Sequence, residues 1–126
     1  MVKYSRAFDL EEQIKDLVNL LELDHIDISR VSCFRTFDSK ATNVNARISS
    51  MSKVLQKALN IEAHYVIEVI SMNFDNLSEE EQLKVLIHEL LHIPKTFGGG
   101  FRQHHLINDR IINRMYAYYK NKSSLK

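Results

Sequence analysis

The sequence has few of the residues that bend, break or cross-link a chain. Its 126 residues include one proline, three glycines, one cysteine and no tryptophan. The single Cys33 has no partner for an internal disulfide, which argues against a disulfide-stabilised secreted domain. No run approaches the roughly 18 apolar residues of a membrane-spanning helix, and the first residues lack the apolar segment of a signal peptide. We therefore expect a soluble, intracellular (cytoplasmic) protein.

The charges are unevenly distributed along the chain. The net charge is +1, but residues 1–92 sum to −5 and residues 93–126 to +6. Either the two parts neutralise each other in the fold, or the C-terminal third binds an acidic partner such as nucleic acid. The length and the apolar fraction of 44% predict one domain over residues 1–126, with a basic tail at about 120–126.

Hydrophobic periodicity predicts an α+β domain. Asp9 with Glu12, and Ser78 with Glu81, have the spacing of capping boxes at helix N-termini, and Pro94 should end the second of these helices. The pattern predicts helices over 10–22, 51–59, 78–93 and 106–120, and strands over 28–37, 46–49 and 64–72. This order of elements indicates a small sheet of about three strands packed with helices.

Residues 88–92 read His-Glu-Leu-Leu-His, which is the HExxH motif. On a helix, His88 and His92 lie on one face with Cβ atoms about 5–6 Å apart. Both imidazoles can then bind one Zn²⁺, with Glu89 beside the attacking water. At about 100° per residue, the apolar residues of this helix occupy one side and the two histidines project together from another. The sequence therefore predicts a metal site on this helix.

A catalytic zinc site usually has a third protein ligand. A downstream glutamate is excluded, because no Glu follows Glu89. The longer metzincin motif is also excluded, since Lys95 and Gly98 stand where its Gly and His belong. The candidates that remain are His104, His105 and Asp109.

The proline and the glycines of the chain all lie between two pairs of histidines. The one proline and all three glycines lie within residues 94–100, after His88 and His92 and before His104 and His105. Proline ends a helix, and glycine allows backbone conformations that other residues avoid. We interpret this segment as a loop that turns the chain back so that a third ligand reaches the metal.

The stretch HELLHIPKTFGGGFRQH, preceded by HYVIEVIS and a Ser-Glu-Glu-Glu cap, resembles a metallopeptidase family described from phages, archaea and archaeal viruses. Members of that family are similar to minimal zincins, and the similarity runs from about Phe8 to Asn113. The family's Gly-Gly, large apolar, Arg, any residue, His pattern falls on residues 99–104. The resemblance implies a zincin-like fold, one Zn²⁺ per chain, a peptide or protein substrate, and His104 as the third ligand, with His105 outside the pattern.

The motif and the resemblance together assign roles to individual residues. His88, His92 and His104 would bind Zn²⁺, and Glu89 would act as the general base. Asp109 is a candidate for orienting a ligand histidine. The candidates for contacts to the substrate or its oxyanion are Arg102, His105 and Tyr116. In zincins generally, the strand before the metal helix can be a sheet edge on which a peptide docks, and here that would turn Glu68 towards substrate or solvent.

A second interpretation is a nucleic-acid-associated module with a structural zinc. It would use the basic C-terminal third, with Tyr116, Tyr118 and Tyr119 as stacking surfaces. A structural site usually closes its fourth position with a protein ligand, commonly cysteine, and Cys33 is remote in sequence from the motif.

Overall fold

The computed structural model describes residues 1–37, 40, 43–103 and 106–125. The strands are β1 (Lys3–Arg6), β2 (Val31–Phe37), β3 (Ala46–Ser50) and β4 (Tyr65–Ile70). The helices are α1 (Phe8–Leu20), α2 (Lys53–Leu59), α3 (Ser71–Phe74), α4 (Glu79–Leu91) and α5 (Asp109–Ser124). The predicted α+β class is confirmed. One core joins the sheet to α1, α4 and α5 through buried residues that include Cys33, Ile67, Leu17, Leu86 and Ile112.

The sheet has four strands rather than three, in the order β1-β2-β4-β3. β2 and β4 are parallel neighbours, whereas β1 and β3 run antiparallel at the two edges. The strand that the prediction missed is β1, whose four residues are all exposed and so lack the apolar alternation by which strands are recognised.

β4, the strand before the metal helix, is an internal strand. It pairs with β2 on one side and β3 on the other, so the expectation that it forms the sheet edge is wrong. Glu68 does not face a substrate groove. Its carboxylate accepts hydrogen bonds from the Thr36 hydroxyl and from the Arg47 guanidinium, the latter at 2.9 and 3.1 Å. The edge strand on this side of the sheet is β3.

Helix α1 starts earlier than its sequence predicts. Its N-cap is Ala7, which makes no side-chain cap, so the predicted capping box at Asp9 is wrong. The Asp9 carboxylate instead accepts two hydrogen bonds from Arg35 on β2, at 2.7 and 2.8 Å. A charged partner 26 residues away therefore engages the side chain that would have capped the helix.

Helix α4 begins and ends close to its predicted bounds. The Ser78 hydroxyl accepts from the Glu81 N–H, and the Glu81 side chain accepts from the Ser78 N–H, so this capping box is confirmed. The helix ends at Leu91 with His92 as its C-cap, two residues before Pro94. Within the described residues, no helix combines the length and the apolar character needed to cross a bilayer.

Candidate metal centre

His88 and His92 converge at the C-terminal end of α4. Their Nε2 atoms are 3.3 Å apart and their ring centroids 5.0 Å apart. The core-facing side of the helix is fixed by buried Leu83, Leu86 and Leu90, which leaves the two imidazoles together on another side. Each histidine is half-buried, so the pair is held in place and still reachable from solvent.

The separation of the two nitrogens suits a shared metal ion. Two nitrogens bound tetrahedrally at about 2.0–2.1 Å from one Zn²⁺ stand about 3.3–3.4 Å apart. His88, Glu89 and His92 each offer a ligand atom within 4.8 Å of the others. The two imidazoles suit a borderline-soft divalent ion such as zinc.

The second ring nitrogen of His92 is held by the backbone of the returning loop. The Nδ1 atom lies 3.2 Å from the carbonyl oxygen of Arg102, where an Nδ1–H donates to it. In that tautomer Nε2 carries no proton, as a metal ligand requires. The sequence suggested Asp109 for this orienting role, but for His92 the contact comes from a main-chain carbonyl, which no sequence pattern reveals.

Glu89 is almost fully buried, with 6% of its surface exposed. Burial disfavours the charged carboxylate and raises the pKa of Glu89 to about 7. A carboxyl group that gains and loses a proton near neutral pH is suited to general acid–base chemistry.

Hydrogen bonds tie the segment from Pro94 to Arg102 to α2, β4 and the end of α4. The Tyr65 hydroxyl accepts from the Gly99 N–H at 3.0 Å and donates to the Gly100 carbonyl at 2.8 Å. The Gln56 amide donates to the Gly98 carbonyl at 3.0 Å. The Arg102 N–H then donates to the His92 carbonyl at 2.8 Å, which closes the loop on the end of α4.

Only one of the three glycines needs to be glycine for its backbone conformation. Gly99 has φ +102°, and a Cβ there would collide with the Met51 carbonyl oxygen and the Gln56 side chain. A Cβ at Gly100 would meet nothing within 4 Å. The predicted turn is therefore concentrated at Gly99.

A cleft of about 500 Å³ opens beside the histidine pair. Its walls come from three elements: residues 43–48, which include the start of edge strand β3; α4; and the first turn of α5. Histidines 88 and 92 and Glu89 line it, together with Asp109 and Asn113. The cleft is open to solvent.

The other predicted site residues have different positions. His104 and His105 lie outside the described residues. Asp109 is exposed and lines the cleft. Arg102 lines a separate cavity with His25 and Lys95. Tyr116 is half-buried, and the Lys84 ammonium lies 5.2 Å from its ring centre.

Sequence reasoning missed Tyr65 and the cleft-lining part of β3. Tyr65 looks like one more apolar residue of a buried strand, and its ring is indeed fully buried against Phe97. Its hydroxyl acts on a loop 34 residues away. The β3 contribution depends on strand order, which periodicity does not determine.

The amino-acid sequence matches a protein-family model. The family model described as "Putative phage metallopeptidase" covers residues 2–119, which include the motif, the loop and the cleft. The chain therefore belongs to this metallopeptidase family. No curated protein and no solved structure shows significant similarity to it.

Proposed function

We propose that this protein is a zinc-dependent peptidase that hydrolyses peptide bonds in the cleft beside α4. The observation that carries the proposal is the convergence of the His88 and His92 Nε2 atoms, 3.3 Å apart, beside a buried Glu89. Family membership supports a peptidase, and the HExxH donor set supports zinc.

His88 and His92 would hold the metal, with His104 as the third ligand. When bound, zinc would polarise the substrate carbonyl and make the attacking water more acidic. Glu89 accepts the proton of that water on its carboxylate and then donates it to the leaving amine nitrogen. The Arg102 carbonyl holds His92 in the tautomer that this scheme needs.

The substrate would bind in an extended form along β3. β3 is an edge strand, and residues 43–48 form one wall of the cleft that contains the histidines. An edge strand offers main-chain N–H and C=O groups to an added strand, and those groups recognise a peptide whatever its side chains. We therefore expect the peptide to dock on β3 rather than on β4.

A nucleic-acid module with a structural metal is less well supported. Such a site needs a fourth protein ligand. Cys33, the obvious candidate, is fully buried in β2, and burial raises the pKa of its thiol to about 12. The two histidines open into a cleft with room for a substrate.

The proposal is tested by digestion of a peptide library with native protein and Glu89→Gln. We expect native protein to cleave and the variant to retain its metal but lose activity by about 100-fold or more, because only the proton acceptor is removed. Glu80→Gln is the matched control, since Glu80 is an exposed residue of the same helix that pairs with Lys84. Equal cleavage by Glu89→Gln and native protein would show that Glu89 is not the base.

A further inference from the structure

One line of side chains along α5 is basic. Arg110, Arg114, Tyr118 and Lys122 follow one another at intervals of four residues, and we name these four residues the basic stripe. Residues four apart are neighbours on a helix surface. At 1.5 Å per residue, the stripe extends over about 18 Å. At the C-terminal end of the stripe, the Lys122 ammonium lies 4.8 Å from the centre of the Tyr118 ring.

The stripe is not used for packing the fold. The core-facing side of α5 is occupied by buried Ile112 and Tyr119. Arg110 and Arg114 are exposed on the opposite side, and Tyr118 is 45% exposed. The helix therefore needs its apolar side for stability, and the two arginines of the stripe face solvent.

Four of the five arginines outside α5 are used differently. Arg6, Arg30, Arg35 and Arg47 each form an ion pair with a carboxylate of the fold. Arg110 and Arg114, by contrast, have no acidic group within 4 Å among the described residues.

A single described ion pair joins the basic C-terminal third to the acidic part of the chain. It is the 3.4 Å contact between Lys122 and Glu22. The charge asymmetry of the sequence is thus largely left unneutralised by the fold, so it is available to an external partner.

We propose that the basic stripe binds the phosphate backbone of a nucleic-acid duplex. A duplex presents about one negative charge per 1.7 Å of its axis, so the exposed Arg110 and Arg114 guanidiniums, about one helical turn apart, can face its phosphates together. Arginine suits this role because its planar guanidinium binds phosphate through two parallel hydrogen bonds.

Other acidic partners fit the stripe less well. A helix that binds a membrane surface inserts an apolar face, and the apolar face of α5 is buried in the core. Single-stranded nucleic acid is usually bound in a groove with several stacking rings, whereas the stripe lies on an outer helix and contains one aromatic ring, already contacted by Lys122.

The position of α5 would bring a bound duplex close to the cleft. Asp109, Ile112 and Asn113 of the same helix line the cleft beside the histidines. A duplex on the stripe would lie close to the cleft and would bring proteins on that duplex near it. The binding itself does not rest on the proposed hydrolysis, and it is measured without it.

The test is fluorescence anisotropy of a labelled DNA duplex titrated with the full chain at several salt concentrations between about 50 and 200 mM. The two stripe cations without an ion-pair partner, Arg110 and Arg114, predict that log K falls against log salt with a slope of about −1.8. Arg110→Gln/Arg114→Gln should weaken binding and make the slope shallower by about 1.8. Arg110→Lys/Arg114→Lys should keep the slope, because it keeps both charges.

Lys3→Gln/Lys57→Gln is the control for net charge. This variant also removes two positive charges, but at exposed positions on β1 and α2. It should bind the duplex as tightly as native protein does. The proposal is overturned if native protein does not bind the duplex, or if this control weakens binding as much as the arginine double variant. It is also overturned if single-stranded DNA, polyglutamate or anionic vesicles are bound as tightly as the duplex.

Discussion

Arg102 and His92 are joined by two main-chain contacts. The Arg102 N–H donates to the His92 carbonyl at 2.8 Å, and the Arg102 carbonyl lies 3.2 Å from the His92 Nδ1. The loop that follows α4 therefore returns to the helix end after ten residues and orients the histidine there. Mutations in the loop should change metal binding as well as stability.

Gly99→Ala should be much more harmful than Gly100→Ala. Alanine at 99 must adopt φ +102° and place its Cβ against the Met51 carbonyl, whereas position 100 has open space. We expect a loss of unfolding free energy of about 2 kcal/mol or more at position 99 and little change at 100. Chemical denaturation of both variants measures this, and equal losses would contradict a specific requirement for glycine at position 99.

Tyr65→Phe should weaken metal binding although Tyr65 does not line the cleft. The substitution keeps the buried ring but leaves the Gly99 N–H and the Gly100 carbonyl without their hydroxyl partner. We expect a loss of about 1–2 kcal/mol in stability and a higher zinc dissociation constant under a competing chelator. Tyr4→Phe, at an exposed position of β1, is the control. Unchanged zinc affinity in Tyr65→Phe would show that the hydrogen bonds of the loop do not contribute to metal binding.

Glu68 should stabilise the sheet in a pH-dependent manner. The hydrogen bonds from Arg47, together with that from Thr36, hold the pKa of Glu68 below its ordinary value. A lowered pKa in the folded state gives stability that is present above the unfolded pKa and lost as the pH falls through the folded one. Glu68→Gln should therefore cost about 1 kcal/mol at neutral pH and much less in acid.

The measurement for Glu68 is denaturant unfolding at several pH values, with Glu12→Gln on the exposed side of α1 as the control. A cost of Glu68→Gln that is the same at every pH would contradict this charge-dependent role.

His104→Ala should lower zinc affinity steeply, while His105→Ala should leave the metal content intact. The expectation follows from the family pattern on residues 99–104, which places a histidine at 104 and leaves His105 outside it. Both variants are compared under one competing chelator, with His64→Ala as a control at an exposed histidine. If His105→Ala loses the metal and His104→Ala keeps it, the ligand assignment is off by one residue.

The sequence predicted correctly the elements whose ends and faces are set by residues close together in the chain. The Ser78–Glu81 capping box and the apolar periodicity place α4 and its histidines correctly, because helix caps and helix faces are set within a few residues. β1 was missed because its exposed residues carry no apolar alternation. The N-terminus of α1 was misplaced because the Asp9 carboxylate binds a distant arginine.

Long-range contacts explain what the sequence did not predict about the site. The strand order that makes β3 the edge and β4 internal depends on pairing between segments far apart in the chain. The Tyr65 hydroxyl and the Arg102 carbonyl act on residues 34 and 10 positions away. Such contacts leave no periodic signal, so they become visible in the fold alone.

The metal content of purified protein tests the central claim most directly. Native protein prepared without chelator should contain about one zinc per chain by native mass spectrometry, since three protein ligands suffice for a catalytic site. His88→Ala/His92→Ala should contain none, whereas His64→Ala should match native protein. A native preparation without stoichiometric divalent metal, or a double variant that keeps it, would contradict a metal site at the end of α4.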